Sequence, residues 1–371
     1  MKRLLCILGN MNAGGAETFL MKMYRAIDKS EYQFDFCINV KEKCFYEDEI
    51  LALGGKIYRI PTKSENMKEF RRQLYSVVKE NDYKYVLRIT SNAMGFLDLK
   101  IAKDAGAEVL AARSSNSSDG GSLKVKLIHL LGKLLYGRHV NVKIAPSDLA
   151  AIYTFGKAAY DRGEVALLNN AVDTAVYKYD AEARMAARAE LGIPADARVV
   201  GHVGRFMTQK NHGFLLDVFK ALSAKDEKAM LLLIGDGELR SEIEERISAL
   251  GLTDKVILAG VRRDVPRLLS AMDTFCLPSL YEGMPNVVIE AQANGLSSVI
   301  ADTITREANI TGMVNYISLS ASADEWAEHI SAAIKEGRRD TVQCFIDNGY
   351  DIESSVKKFV SIIFEGGKEN G

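Results

Sequence analysis

Short apolar and β-branched runs alternate along the chain with stretches in which apolar residues recur at helical spacing, and this pattern predicts alternating strands and helices. In the first half the predicted strands are Arg3–Leu8, Phe34–Val40, Lys56–Ile60, Tyr85–Ile89, Glu108–Ala112, Lys143–Ala145 and Val165–Leu168, and the predicted helices cover 15–28, 66–81, 95–105, 123–137 and 147–155. In the second half the predicted strands are Val199–Val203, Met230–Ile234, Val256–Leu258, Thr274–Leu277 and Ser298–Ala301, and the helices cover 181–191, 211–224, 238–250, 265–271, 285–294 and 323–336.

Strands that alternate with helices in this way form βαβ units and parallel sheets, so the predicted fold class is α/β. The pattern restarts after residue 170, which predicts two doubly wound domains joined near Asn169–Val172. We expect an N-terminal domain over 1–170, a C-terminal domain over 171–350, and a last helix at about 351–371 that packs back onto the first domain. The length of 371 residues agrees with about two domains.

The composition, with 47% apolar and 26% charged residues, is that of an ordinary globular protein and excludes a disordered chain or a fibre. The cysteines form no C-x-x-C pair, which is typical of reduced cytosolic thiols rather than a zinc site or a disulfide framework: Cys6, Cys37, Cys44, Cys276 and Cys344. No apolar run reaches the roughly 18 residues that span a bilayer, and Leu4–Leu8 is too short for a signal peptide. We therefore expect a cytoplasmic protein.

Charge is distributed unevenly between the two halves. Residues 1–170 contain 26 Lys and Arg against 19 Asp and Glu, whereas residues 171–371 contain 22 against 30. Leucines at helical spacing lie among the cations of the predicted helix at about 123–137, which is therefore basic and amphipathic. Two interpretations stay open, a helix that lies on an anionic membrane surface and a core helix with a basic edge. The cations of this region are Lys124, Lys126, Lys133, Arg138 and Lys143.

Ligands of open α/β sheets bind beyond the C-terminal ends of the strands, so the loops after the predicted strands form the candidate site. The first strand leads to Gly14-Gly15 at the start of a helix, where the backbone can approach a ligand closely and free N–H groups are available. The strand ending at Val203 leads to a loop with Gly204, Arg205 and Lys210, whose two cations suit a phosphate. No G-x-G-x-x-G pattern supports a dinucleotide site.

A third loop follows the strand ending at Leu277 and contains two carboxylates. Pro285 suits the first turn of the next helix, so the N–H groups just before it are expected to point at an anion. Glu282 precedes this helix, and Glu290 lies inside it in an apolar context, where a carboxylate needs partners such as sugar or ribose hydroxyls. In the glycine-rich turn 235–238, Asp236 is expected to cap the following helix.

These motifs together resemble glycosyltransferase family 4, and the stretch 201–302 is most similar to its bacterial capsular and exopolysaccharide subgroup. The segments that carry the resemblance are Gly204-Arg205 with Lys210-Asn211, Gly235-Asp236-Gly237-Glu238, Glu282-x7-Glu290, Gly14-Gly15-Ala16-Glu17, and Leu168-Asn169-Asn170-Ala171-Val172-Asp173. The resemblance covers essentially the whole chain. It implies the GT-B fold, in which two Rossmann-like domains flank an active site in the cleft between them.

The resemblance also implies roles for individual residues. Arg205, Lys210 and Glu282 would be catalytic: the two cations would stabilise the leaving diphosphate, and Glu282 would contact the donor sugar. Glu290 would hold the ribose. The other residues that would contact the donor are Gly15, Gly204, Gly283, Met284, Pro285, Asn286 and Val287. No metal and no cofactor are expected.

One segment departs from the family pattern. Many relatives carry a His-Ser-His-Asn-like segment after the fifth strand, whereas this chain reads Arg113-Ser114-Ser115-Asn116. Gly14, Arg113, Ser115 and Asn116 are the candidate contacts to the acceptor or the sugar. His129 and His139 are expected to be structural or interfacial.

The resulting hypothesis is a retaining, metal-independent glycosyltransferase. It would move a sugar from a nucleotide-sugar, expected to be a UDP-sugar, to a lipid-linked saccharide in capsular or exopolysaccharide synthesis. The basic helix would dock on the anionic inner leaflet, so the protein would be peripheral on the inner face of the cell membrane, and no nucleic acid partner is expected. Two alternatives stay open, a GT-B nucleotide-sugar 2-epimerase and a non-catalytic nucleotide-sugar or saccharide binder.

Overall fold

The computed structural model describes residues 1–115 and 123–366, which form two compact units. Unit 1 consists of Met1–Ala171 together with the chain from Ile352 onward, and unit 2 is Val172–Asp351. Each unit has its own hydrophobic core around a parallel sheet.

Over the described residues, unit 1 contains a seven-stranded parallel sheet in the order β3-β2-β1-β4-β5-β6-β7. Its strands are β1 (Lys2–Ile7), β2 (Tyr32–Ile38), β3 (Ile57–Arg59), β4 (Tyr85–Thr90), β5 (Val109–Ser114), β6 (Val142–Ala145) and β7 (Val165–Leu167). Its helices include α1 (Gly15–Ala26), α2 (Glu47–Ala52), α3 (Met67–Glu80), α4 (Phe96–Asp104), α5 (Leu123–Tyr136), α6 (Asp148–Phe155) and α7 (Lys157–Asp161).

Unit 2 has the same kind of architecture, with a six-stranded parallel sheet over the described residues in the order β10-β9-β8-β11-β12-β13. Its strands are β8 (Arg198–Val203), β9 (Ala229–Ile234), β10 (Val256–Leu258), β11 (Thr274–Leu277), β12 (Ser298–Ala301) and β13 (Val314–Ile317). Its helices are α8 (Thr174–Tyr177), α9 (Ala181–Glu190), α10 (His212–Lys225), α11 (Arg240–Ala249), α12 (Val265–Ala271), α13 (Asn286–Ala293), α14 (Ala323–Glu336) and α15 (Val342–Asp347).

Apolar side chains cover both faces of the first sheet, and most residues of its inner strands are therefore apolar. In β1, Leu4 and Cys6 belong to one core cluster of unit 1, and Leu5 and Ile7 to the cluster on the opposite face. The strand order reverses between β1 and β4 in unit 1 and between β8 and β11 in unit 2. Open sheets of this kind bind ligands at such a switch point.

The last helix, α16 (Ile352–Phe364), belongs to unit 1. Its Phe359 packs against Phe19 of α1 and Phe34 of β2, with ring centroids 6.4 and 5.7 Å apart. Phe364 contacts Tyr32 at 4.6 Å. The C-terminal helix thus supplies aromatic core to a unit whose other elements end about two hundred residues earlier.

The predicted strands are all present, with ends shifted by a few residues, whereas several short elements were not predicted. These are the edge strand β13 and the helices α2, α7, α8 and α15, which have four to six residues each. The helices complete at most one or two turns, and Asn315 interrupts the apolar residues of β13, so no clear periodicity marks these elements. The predicted start of the helix at residue 285 is one residue early, because Pro285 is the N-cap of α13 and lies outside its first turn.

Candidate active site

The loop after β8 carries two cations in different surroundings. Arg205 is exposed over 69% of its side chain, and its guanidinium lies 3.1 Å from the carboxylate of Glu238. Lys210 is only 15% exposed, and its Nζ lies 2.7 Å from Oε1 of Glu282, which is itself 9% exposed. The switch point of the second sheet therefore combines a solvent-facing guanidinium with an ion pair shielded from water.

Close packing explains the glycines around these cations. A Cβ on Gly204 would lie 3.2 Å from Cε of Lys210, so the lysine stem runs across this glycine. A Cβ on Gly235 would collide with the carbonyl of Gly204, and a Cβ on Gly237 would collide with the backbone of Phe206. The glycine-rich turn 235–238 therefore supports the cationic loop directly, since only glycine permits this backbone approach.

The capping role predicted for Asp236 is wrong. α11 begins at Arg240 with Leu239 as its N-cap, so Asp236 lies too far ahead of the helix. The carbonyl of Asp236 instead accepts a hydrogen bond from the N–H of Phe206 at 2.9 Å. Its carboxylate accepts one from the N–H of Gly237 at 2.8 Å. The turn uses its backbone to hold the neighbouring loop.

Two buried histidines lie behind the cationic loop. The rings of His202 and His212 are 4.7 Å apart, and Phe206 packs on His212 at the same centroid distance. Nδ1 of His202 lies 3.0 Å from the carbonyl of Cys276. Burial lowers the pKa of His212 to about 4 and the pKa of His202 well below its usual value, and the charge of Lys210 acts in the same direction. Both rings are therefore neutral at physiological pH.

The predicted donor-binding residues from Glu282 to Glu290 lie at or near the start of α13, whereas Gly204 follows β8 and Gly15 lies in unit 1. Glu290 is buried, with 5% exposure, and the side chain of Glu282 is 9% exposed, so neither carboxylate of the motif is solvated like an ordinary surface group. Gly283 is exposed, whereas Met284 and Val287 pack against the core of unit 2. Pro285 is buried and Asn286 is partly buried. These residues follow β11 at the same switch point as Lys210.

In unit 1, Gly14 is the N-cap of α1 and Gly15 is its first residue. The carboxylate of Glu17 folds back so closely that a Cβ on Gly14 would collide with it. Burial raises the pKa of this carboxyl. A carboxylate from the first turn therefore already faces the N-terminus of α1, which the glycine pattern alone did not reveal.

Arg113 lies near the C-terminal end of β5, and its guanidinium is buried. Its Cζ is 3.6 Å from the ring centroid of Phe19, and its Nη2 donates to Oδ1 of Asn170 at 2.6 Å. Burial lowers its pKa to about 9, and within 1–115 and 123–366 no carboxylate forms an ion pair with it. Ser115 is exposed, and Asn116 lies outside the described residues.

Helix α5 turns its apolar side outward. On its inner side, Nδ1 of His129 accepts a hydrogen bond from the N–H of Ala93 at 3.1 Å, and Gly132 packs so tightly that a Cβ would collide with Ala93. Nζ of Lys133 points inward to the carbonyl of Tyr153 at 3.3 Å. The interpretation of a core helix is therefore wrong, because the leucines are exposed: Leu127, Leu130, Leu131, Leu134 and Leu135.

Across the two described ranges, no group of three or more His, Cys, Asp or Glu side chains is arranged to hold a metal ion. Within the same part of the chain, no helix has the length and apolar character needed to cross a bilayer. The absence of a metal cofactor stays a prediction, and it can be tested by measuring sugar transfer in the presence of a chelator.

Two Rossmann-like units, each with a parallel sheet, define the GT-B class of glycosyltransferase folds. In agreement, Anabaena HepE, solved in complex with UDP-glucose, superposes with a TM-score of 0.78 at 18% identity, over 97% of this chain and 99% of that one. The family described as glycosyl transferases group 1 matches residues 183–351.

Two curated relatives extend the comparison. EpsF of Bacillus subtilis (strain 168), named as a glycosyltransferase, is 36% identical over 369 residues, covering 97% of this chain and 96% of that protein. The Escherichia coli UDP-Gal:alpha-D-GlcNAc-diphosphoundecaprenol alpha-1,3-galactosyltransferase is 33% identical over 115 residues, or 30% of either chain. The chain therefore belongs to the glycosyl transferases group 1 family and is a glycosyltransferase.

Proposed function

We propose that this glycosyltransferase moves a sugar from a UDP-sugar to a lipid-linked saccharide in capsular or exopolysaccharide synthesis, with retention of configuration and without a metal ion. The observation that carries the proposal is the shielded Lys210–Glu282 pair, with Arg205 on the same loop. In this arrangement, Lys210 and Arg205 are cations that can bind a diphosphate, and Glu282 is a carboxylate that can accept hydrogen bonds from sugar hydroxyls. The Anabaena structure contains UDP-glucose, and the name of the Escherichia coli protein includes UDP-Gal and a diphosphoundecaprenol-linked sugar, which supports the donor and acceptor classes.

In the proposed reaction, an acceptor hydroxyl attacks the anomeric carbon on the face that the diphosphate leaves. The new C–O bond forms as the bond to UDP breaks, and the hydroxyl proton passes to an oxygen of the departing diphosphate. Arg205 and Lys210 would stabilise the charge that develops there, with the N–H groups around Gly283 and Met284. Glu282 would hold the donor sugar and Glu290 the ribose, because carboxylate oxygens accept hydrogen bonds from hydroxyl groups.

We assign the acceptor side to unit 1. Arg113 is a buried cation without a carboxylate partner among the described residues, near the end of β5. Its positive charge would favour an anionic group of the acceptor. Gly14 and Ser115 would contribute hydrogen bonds, and Asn116 stays a candidate from the sequence.

A thermal-shift screen tests the donor site first. UDP, GDP, ADP, CMP and their sugar conjugates are compared, because a ligand that binds only the folded state raises the melting temperature. We expect stabilisation by UDP and one UDP-sugar, and loss of that shift in Glu290→Ala. EDTA should leave both the shift and sugar transfer unchanged. Failure of every nucleotide to stabilise the protein would contradict the proposal, and conversion of UDP-GlcNAc to its 2-epimer without acceptor would favour the epimerase.

We further propose that α5 docks on an anionic bilayer. Its outward face carries five exposed leucines, with Lys124 and Lys126 exposed beside them. An apolar stripe flanked by lysines matches the acyl chains and the anionic headgroups of one surface. Docking there would bring the enzyme to a lipid-linked acceptor.

Vesicle co-sedimentation tests the docking helix. Lys124→Glu with Lys126→Glu should reduce binding to phosphatidylglycerol-containing vesicles about tenfold or more, since each cation near such a surface contributes about 1 kcal/mol. The matched control is Lys68→Glu with Lys79→Glu, the same charge change on exposed lysines of α3. Leu127→Gln with Leu134→Gln should also weaken binding. Equal binding by all three variants and the parent protein would contradict a membrane role for α5.

A further inference from the structure

Gln209 connects the two loops that meet at the switch point of unit 2. It lies in the 3-10 turn Thr208–Lys210, one residue before the lysine of the ion pair. Its carbonyl accepts a hydrogen bond from the N–H of Leu280 at 2.9 Å. Its Nε2 donates to the carbonyl of Tyr281 at 2.8 Å and to Oε2 of Glu282 at 3.3 Å. One side chain and its own carbonyl thus contact three consecutive residues of the opposite loop.

The two oxygens of Glu282 therefore have different partners on the same turn. Nζ of Lys210 lies 2.7 Å from Oε1, and Nε2 of Gln209 lies 3.3 Å from Oε2. A lysine ammonium is a point charge on a flexible stem and does not define the rotation of a carboxylate. The amide group adds a second, directional contact, so the pair together limits that rotation.

The chemistry of this position suits glutamine in particular. Its amide nitrogen has two N–H donors, and both have acceptors here, the carbonyl of Tyr281 and the carboxylate of Glu282. A glutamate would place a carboxylate against these two acceptors. An alanine would leave both acceptors without this donor in a partly buried site.

We propose that Gln209 is a positioning residue that orients Glu282 for the sugar of the donor. The inference rests on the proposed function, because it takes Glu282 as the group that binds the sugar. It predicts that Gln209 governs the part of the binding energy that comes from the sugar, while the nucleotide part is unchanged.

Calorimetric titration of UDP and of UDP-glucose, UDP-galactose and UDP-GlcNAc separates the two parts. For each protein, the ratio of the Kd of UDP to the Kd of the best UDP-sugar measures the contribution of the sugar. In Gln209→Ala we expect this ratio to fall about tenfold, as for the loss of one well-placed hydrogen bond to a charged group. The Kd of UDP itself should stay within about twofold, because Gln209 has no proposed contact with the nucleotide.

A pH profile adds a signature that a merely structural role would not produce. Gln209→Glu sets a second carboxylate beside that of Glu282. Because two like charges repel at this distance, the pKa of one of the two carboxyls rises and the pair holds a proton at a higher pH than a single carboxyl does. The protonated glutamate can again donate to Glu282, so sugar binding by this variant should recover as the pH falls from about 8 to 5. Lys210 is the charged group that contacts Glu282 in the described chain, and it is unchanged in the variant.

The matched control is Gln343→Glu. Gln343 of α15 donates to Oδ1 of Asp347 at 2.7 Å on the surface, so the same substitution is made beside another carboxylate. It should change neither the ratio nor its pH dependence. A parent protein that binds no nucleotide would refute the proposed function and this inference together. A parent with a clear sugar contribution that Gln209→Ala and Gln209→Glu leave intact would overturn the inference alone.

Discussion

At the scale of single residues, both cations of the predicted donor site already have acidic partners. Arg205 pairs with Glu238 on the surface, and such an exposed pair contributes at most about 1 kcal/mol, so a diphosphate can displace it. Lys210 is held by Glu282 in a shielded position. An ammonium group has three N–H donors, so Lys210 can keep Glu282 and still bind a phosphate oxygen. The ion pair is thus compatible with donor binding.

The buried histidines predict a pH dependence of stability. The pKa of His212 falls from 6.5 to about 4 on folding, so between these values the unfolded chain binds more protons than the folded one. Stability must therefore decrease as the pH falls from about 7 to 5, by about 2 kcal/mol for this residue, and His202 acts in the same direction. Urea denaturation of His212→Gln should show a shallower pH dependence.

The control for this experiment is His329→Gln, on the exposed side of α14. It should keep the pH dependence of the parent protein. If the free energy of unfolding depends on pH equally in His212→Gln and His329→Gln, the His212 ring is not kept neutral by the fold, and its lowered pKa is refuted.

At the scale of elements, α5 shows how one glycine sets the orientation of a helix. A Cβ on Gly132 would collide with the carbonyl carbon of Ala93 and come within 2.5 Å of the backbone nitrogen of Met94. Gly132 thus places the helix directly on the 3-10 turn Ala93–Gly95, and His129 holds the same face of the helix through its hydrogen bond with Ala93. The leucine stripe is consequently left on the outside.

We expect Gly132→Ala to destabilise unit 1 by about 1–3 kcal/mol, although alanine is the better helix former by about 1 kcal/mol. Gly137→Ala is the matched control, because a Cβ there meets nothing within 4 Å. The stability of both variants is measured from their denaturation midpoints and from the hydrogen exchange of the α5 amides. Similar behaviour of the two variants would show that close packing does not fix this helix.

At the scale of the whole molecule, the chain crosses from unit 2 back to unit 1 for its last helix. Phe359 of α16 is fully buried against Phe19 and Phe34, which belong to the start of the chain. Phe359→Ala should cost about 3–5 kcal/mol and lower the hydrogen-exchange protection of 1–171 rather than that of 172–351.

The neighbouring exposed residue supplies the control for this prediction. Lys358→Ala should leave the protection of both units unchanged. Equal loss of protection in the two units after Phe359→Ala would mean that α16 stabilises the molecule as a whole and not unit 1 in particular.

Local pattern was sufficient for every strand of the described residues except β13, for the long helices, for the loops that carry Arg205, Lys210 and Glu282, and for the helix that carries Glu290. These features depend on residues that are neighbours in sequence: an apolar run, a glycine or proline, and a polar group just past the strand end. The parallel order then brings the loops after β8 and β11 to one edge, and open α/β sheets bind ligands there. The edge strand β13 and the short helices α2, α7, α8 and α15 were missed, because their few positions carry no distinctive apolar pattern.

The sequence by itself thus determined the class of fold, the loops of the candidate site and the basic, leucine-rich character of α5. Only the tertiary structure decided that α5 turns its leucines outward, that Lys133 points inward, and that Gln209 contacts the loop of Glu282. These facts depend on how segments that are distant in sequence pack against each other. Gln209 and Glu282, for example, lie 73 positions apart along the chain. Periodicity shows that a helix has an apolar face, but packing between distant segments decides whether that face is covered.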